Sequence, residues 1–471
     1  MFKKLGAFFK EPPIAEPIQD SAKVDSMYKH WRLRMFIGCF IGYTIFYLCK
    51  KNIAVALPGI MDEFHYSATE LGLLGSSLYL TYGIGKFVNG VLADGSDVRK
   101  FFPTALLMTA LANILFALSP SVVSILGLSP KMFAMVLLWT MAFLWGVSGW
   151  FQSAGFPAVA KSLTYWYSNS ERGTKWSLWS CSHQTGTFLS FILAGLIAAR
   201  FGWRAAFLVP GILAAVTAIS LFFVLRDRPQ SMGLPDVEVY RNEPVKEQSA
   251  DEKKEEDSMT YVQIFKKYVL CNKTIWLLAI AYIFVYIIRF GAEDWMIMYL
   301  KNAKGIKLEE ATTMIASLPL VGICGTVCAG LISDKLFKGK RAPVNLLYLA
   351  GVICAVIALK FNTISALNYV IIGLLGAFTY GPQMMIGGLC AVESSSKKVA
   401  SAASGFTGTF GYIGAFLSAT GTGFLVDKLG KNGVQNWDGA IYFWLVSGII
   451  CFIICAILAV DEYKKDANIE F

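Results

Sequence analysis

Twelve apolar runs of about 20 residues divide this chain, and they restrict it to one kind of fold. They fall at roughly 35–60, 69–93, 103–124, 131–166, 173–199 and 203–225, and, after a hydrophilic break, at 274–300, 308–333, 342–360, 366–394, 400–427 and 439–460. A run of that length spans a bilayer as a helix, and only helices and closed barrels satisfy their backbone groups there. Barrel strands would alternate over about ten residues, which these runs do not. The expectation is an all-α membrane protein of 12 transmembrane helices. Composition agrees: 55% of residues are hydrophobic and 16% charged, against about a quarter charged in soluble chains.

The net charge of +10 does not read as nucleic-acid affinity. Most of it lies in short loops and tails, where it sets topology. Arg99-Lys100, Arg172 with Lys175, Lys335 to Arg341 and Lys397-Lys398 fall on alternate loops. The first loop of the other side (Asp62, Glu63, His65, Glu70) carries no lysine or arginine. Both termini are therefore expected in the cytoplasm. The first 30 residues are polar without an apolar core, so no signal peptide is expected. The ten cysteines lie mostly in apolar segments without metal-ligand spacing, and packing is their expected role.

The domain reading is 1–34 as a basic cytoplasmic arm, 35–225 as an N-terminal six-helix bundle and 226–273 as a cytoplasmic linker. Residues 274–460 form a C-terminal six-helix bundle and 461–471 a cytoplasmic tail. The linker has a charge-dense, mobile middle and an amphipathic helix at its end. An internal repeat supports pseudo-symmetric halves. Gly90-Val-Leu-Ala-Asp94 with Arg99-Lys100 recurs as Gly330-Leu-Ile-Ser-Asp334 with Lys338 to Arg341, and Thr185-Gly-Thr-Phe188 as Thr407-Gly-Thr-Phe410. The offsets, 334 − 94 = 240 and 407 − 185 = 222, pair matching places in the two halves. Asp94, Arg99, Asp334 and Arg341 are expected to make ion pairs and caps that act as gating loops.

Inside the first run stand Lys50 and Lys51. A charge near mid-membrane costs roughly 2.5–3.5 kcal/mol on insertion scales and reads as functional by default. Adding 239 to 50 gives 289, and Arg289 stands inside the seventh run. If the halves are pseudo-symmetric, Lys50 and Arg289 face each other across a central cavity, a pairing suited to a small dianion. The structural alternative pairs Arg289 with Glu293 one turn on, and lets one of the adjacent lysines snorkel to the interface. Lys86 is a third intramembrane cation, an interhelix ion pair or a substrate contact. His183 is a satisfied structural histidine or a proton-sensitive anion contact. Tyr43, Tyr47, Tyr286, Tyr380 and Tyr412 can offer hydroxyls, although packing alone would explain each.

The sequence holds no Gly-x-x-x-x-Gly-Lys-Ser/Thr loop, so ATP-driven transport by this chain alone is not expected. No nucleophile, base and orienter stand at enzyme-like spacing, and no cofactor or metal site is expected. An empty carrier with buried unpaired cations is costly to occlude, and a bound phosphate removes that cost. Obligatory exchange follows as the expected mechanism.

These stretches resemble the organophosphate:phosphate antiporter family of the major facilitator superfamily. The resemblance is carried by Gly42-Tyr43 through Lys51-Asn52, Tyr82-Gly-x-x-Lys86-Phe87, Ala93-Asp94-Gly95, Glu171-Arg-Gly173 and Arg226-Asp-Arg-Pro-Gln-Ser-x-Gly-Leu-Pro235. Further on it continues through Tyr268-Val-Leu270, Val285-Tyr-x-x-Arg289, Asp294-Trp295, Tyr380-Gly-Pro382 and Gly405-Phe-Thr-Gly408. It implies two six-helix bundles, and a monomer in the bacterial inner membrane that exchanges a phosphate ester such as glucose 6-phosphate or glycerol 3-phosphate for inorganic phosphate. The alternative it implies is a receptor that senses an external sugar phosphate and signals to a partner kinase. It implies phosphate binding by Lys50, Arg289 and His183, with Lys86, Tyr43 and Tyr286 at further cavity positions. Beside what the resemblance implies, Lys51, Tyr47, Tyr380, Tyr412 and Asp294 are secondary candidates. The family has arginine where Lys50 stands, a glutamate where Pro319 stands, and a Trp-Asn-x-x-His-Asn pattern where Trp179-Ser180-Cys-Ser-His183-Gln184 stands.

Overall fold

The structure is a computed structural model that describes residues 8–242, 263, 266–337, 340–391, 394–395, 400–430 and 435–467. Helices make up all of its extended elements. They are α1 (Ser21–Phe64), α2 (Ala68–Asp94), α3 (Val98–Ser124), α4 (Pro130–Gln152), α5 (Gly155–Trp166), α6 (Asn169–Leu189), α7 (Gly195–Phe201) and α8 (Ala205–Val224). After the break follow α9 (Lys273–Lys304), α10 (Leu308–Lys335), α11 (Ala342–Phe361), α12 (Leu367–Met384), α13 (Ala400–Lys428) and α14 (Asp438–Ala467). Eleven stretches among the described residues are long and apolar enough to cross a membrane. Each of α4–α5 and α6–α7 forms one such stretch. With α2, 27 residues long, the spans number twelve.

Helix ends follow the local sequence. Asp20 accepts from the amides of Ala22 (3.0 Å) and Lys23 (3.3 Å), and so starts α1 at residue 21 rather than 35. The arm is thus partly an extension of the first span. Ser67 and Glu70 form a reciprocal capping box before α2, as Ser168 and Glu171 do before α6. Asn272 caps α9, and Gly305, at φ +68, ends it in the left-handed conformation that glycine adopts without strain. Residues 190–194, joining α6 to α7, and 385–390, after α12, are wound as π-helical turns. The sequence gives no period that marks them. Pro319 sits inside an uninterrupted α10, and the kink it could have made does not divide that helix.

Two compact units divide the chain: residues 1–53 with 80–247, and residues 54–79 with 248–471. In the first, α3 packs on α8 and α4; in the second, six spans later, α11 packs on α14 and α12. Small residues permit the closest approaches, as in membrane bundles generally. A Cβ on Gly186 of α6 would lie 2.3 Å from the Thr44 carbonyl oxygen of α1. One on Gly414 of α13 would lie 2.2 Å from that of Ile283 in α9. Outward faces carry exposed apolar stripes at helical spacing, such as Leu111, Leu115, Leu118 and Val122 on α3 and Ile212, Val216, Ile219 and Phe223 on α8. Such area would be untenable in water and suits lipid.

The arm and the Arg226–Pro235 motif are built into the first unit. Phe9 accepts from the Asp97 amide (2.8 Å), Gln230 from Ala15 (3.0 Å) and Gly233 from Ile18 (2.9 Å). Lys161 donates to Glu11 (2.6 Å) and to the Ser96 carbonyl (2.8 Å). Arg228 donates to Glu11 (2.5 Å), and Asp227 accepts from the first amide of α3, Val98 (2.9 Å). The hydrogen bond from Lys161 and the neighbouring charges hold the Glu11 carboxyl below its ordinary range. Burial pushes that of Asp227 up. The linker middle and most of its expected amphipathic helix lie outside the described residues. Residues 266–270 form a π-helical turn.

Candidate functional site

In the first unit the charged stretch of α1 is enclosed by rings. Lys50 and Lys51 are 2% and 0% exposed, so neither reaches an interface. The Lys50 ammonium lies 3.9 Å from the ring centroid of Tyr82 on α2 and 5.2 Å from that of Tyr47. A cation over an aromatic face regains part of its lost hydration. Tyr47 is 5.4 Å from His183 and from Tyr43, and Tyr43 is 4.7 Å from Trp179. This cluster forms because Gly186 brings α6 against α1. Thr44 donates to the Ser182 carbonyl (3.2 Å) and Ser190 to that of Leu48 (3.2 Å). His183 donates from Nδ1 to the Ser180 carbonyl one turn back. Lys86 lies 5.3 Å from the Phe156 ring.

In the second unit Arg289 stands midway along α9 and is 3% exposed. Its Nε donates to Glu293 Oε1 at 2.8 Å, and Tyr380 of α12 donates to the same oxygen at 2.6 Å. Three rings surround the guanidinium: Phe290 at 5.0 Å, Tyr380 at 5.2 Å and Tyr286 at 5.7 Å. Tyr282 donates to Tyr286 (3.2 Å), and Tyr412 lies edge-on to Tyr286 at 5.8 Å. Asp294 accepts from Tyr79. The structural alternative for Arg289, the pair with Glu293, is therefore present; it is a contact and does not exclude a functional one.

Residues 39–419 match the family model described as Major Facilitator Superfamily. A probable hexose phosphate transport protein of Chlamydia pneumoniae is 40% identical, over 90% of this chain and 92% of its own. A glycerol-3-phosphate transporter of Bacillus subtilis is 37% identical, over 98% and 99%. A membrane sensor protein, UhpC of Escherichia coli, is 36% identical, over 93% and 94%. The chain belongs to the organophosphate:phosphate antiporter family of the major facilitator superfamily. It is a multi-pass membrane protein and not an enzyme. A bacterial homologue of the lysosomal transporter Spinster has the same fold, at TM-score 0.68 and 16% identity, over 91% of this chain and 96% of that one.

Within this family frame, the residues expected at the site divide between the two units. Lys50, Lys51, Tyr43, Tyr47, Lys86 and His183 belong to the first; Arg289, Tyr286, Tyr380, Tyr412 and Asp294 belong to the second. Among the gating candidates, Arg99 donates to the Phe222 carbonyl (2.9 Å) and Arg341 to the Ser333 hydroxyl (2.7 Å). The side chains of Asp94 and Asp334 lie outside the described residues. The α3 amides are instead capped by Asp97, through Arg99 N at 2.9 Å, and by Asp227. Sequence reading passed over Tyr82 and Tyr79 as site residues. Their spacing held a signal: both fall at helical intervals before Lys86, at i−4 and i−7 on one face of α2.

Proposed function

We propose that this protein exchanges a small phosphate ester for inorganic phosphate across a bacterial inner membrane, by alternating access, with both termini in the cytoplasm. Lys50 and Arg289 bind the phosphoryl group. His183, Lys86, Tyr43 and Tyr286 shape and polarise the sites around them. One observation carries the reading: each unit buries a cation within a membrane-spanning helix, shielded by aromatic rings rather than brought to an interface. Keeping a charge there is costly, which marks both cations as functional, and a phosphate dianion is the anion whose oxygens an ammonium and a guanidinium fit. The names of the relatives support phosphate esters as the ligand class.

The test is counterflow of labelled phosphate in proteoliposomes. Phosphate-loaded vesicles should take up labelled phosphate, and glycerol 3-phosphate or glucose 6-phosphate should compete. Absence of exchange with every ester tried would overturn transport. Saturable ester binding without exchange would instead favour a receptor that senses the ester and signals to a partner. That second reading is carried by the likeness to a membrane sensor protein.

A further inference from the structure

The Arg289–Glu293–Tyr380 cluster does more than neutralise a buried arginine. Glu293 is fully buried. Its Oε1 takes two hydrogen bonds, 2.8 Å from Arg289 Nε and 2.6 Å from the Tyr380 hydroxyl. Two different helices thereby fix a carboxylate on the side edge of the guanidinium. A ligand phosphate that reaches Arg289 must use another edge of the same planar group or displace Glu293 from this one. Either way it sits within a few ångströms of a fixed negative charge, in a region screened poorly by water. The next residue, Asp294, is also buried and accepts from Tyr79. Two carboxylates thus accompany one cation along this stretch of α9. A phosphoryl group can pair with Arg289, whereas a second anionic group held beside this stretch meets the repulsion of Glu293 and Asp294.

We infer that Glu293 is a specificity-determining residue that selects phosphate esters with an uncharged organic moiety and rejects those bearing an additional carboxylate. The inference rests on the phosphate-ester reading above and deepens it. Tyr380 acts as a positioning residue that holds Glu293 in place. Specificity here comes from a built-in repulsive element rather than from a further attractive contact.

Two ligands of nearly equal size isolate the charge. Glycerol 3-phosphate and 3-phosphoglycerate differ in that a hydroxymethyl group is replaced by a carboxylate. Each is titrated as a competitor of labelled-phosphate exchange in wild-type, Glu293→Gln and Glu293→Asp proteoliposomes. Wild type should favour glycerol 3-phosphate strongly. Glu293→Gln should shift the ratio of half-inhibitory concentrations at least tenfold toward 3-phosphoglycerate, while Glu293→Asp keeps the wild-type preference. If Glu293→Gln does not insert, Glu293→Ala removes the same charge and carries the same expectation. A ratio unchanged from wild type in the variant lacking the charge would overturn the inference alone. A wild-type protein that exchanges no phosphate would overturn the transport reading, and the inference with it.

Discussion

Replacing Arg289 by alanine separates what the arginine does for stability from what it does for transport. The Nε–Oε1 distance of 2.8 Å gives a pair attraction of about 332/(20 × 2.8), or ~6 kcal/mol, at an effective dielectric of about 20. Much of this offsets the cost of burying both charges. Removing one partner alone leaves the other buried, and costs about 3–5 kcal/mol. Arg289→Ala should therefore lower the melting temperature of the purified protein and abolish phosphate exchange. Arg289→Ala combined with Glu293→Ala removes both charges and should recover most of the lost melting temperature. It should not recover exchange, because no cation remains in the middle of α9 for the phosphoryl group; its lysines stand at the two ends. The assay is thermal melting in detergent alongside labelled-phosphate counterflow, for the two single variants and the double. A double variant that exchanges phosphate at wild-type rate would refute the reasoning and reduce Arg289 to a structural partner of Glu293.

Four other expectations follow from the same geometry. In Gly186→Ala the new Cβ would start 2.3 Å from the Thr44 carbonyl oxygen, so α6 must retreat about 1 Å to reach ordinary contact; exchange should fall and stability drop by about 1–3 kcal/mol, measured by counterflow and melting. Lys50→Arg should keep exchange with altered affinity, because a guanidinium can replace the ammonium toward phosphate, whereas Lys50→Ala should abolish it, as dose–response curves for phosphate will show. The lowered Glu11 carboxyl contributes stability that is present above its ordinary value of 4.5 and lost as pH falls through the lower folded value; melting temperatures below pH 4.5 should fall more steeply in wild type than in Glu11→Gln. Asp427 accepts from the Thr69 amide (2.6 Å) and hydroxyl (2.7 Å) at the start of α2, so Asp427→Ala should cost about 0.5–2 kcal/mol, the range for a lost helix cap, read as a melting shift.

Much of the architecture was legible because lipid imposes a simple rule: about 20 apolar residues make a span, and charge marks what is not lipid. That rule locates the helices, and the short repeats relate their two sets. It does not locate their ends. Asp20 extends α1 by more than a turn beyond its apolar run, and the cap belongs to the polar residues the rule discards. Charge in an apolar run likewise pointed to Lys50, Arg289 and Lys86. Aromatic partners were harder to read, since a tyrosine facing a cation and one facing lipid look alike in sequence. Tyr82 was not singled out although it lies 3.9 Å from Lys50. Tyr380 reads in sequence as a ligand hydroxyl or as packing, whereas its hydroxyl anchors Glu293 from a helix nearly 90 residues away in the chain. The Arg226–Pro235 motif stood out as a family signature; its role is structural, tying the arm, Lys161 and the start of α3 together.

The central claim, that Lys50 and Arg289 bind a phosphoryl group for exchange, is tested most directly by labelled-phosphate counterflow in proteoliposomes of wild type, Lys50→Ala and Arg289→Ala at matched protein content. Phosphate-loaded wild-type vesicles should take up label in a manner competed by glycerol 3-phosphate or glucose 6-phosphate, and both variants should fall to the rate of empty liposomes. Exchange at the wild-type rate in either variant would contradict the account.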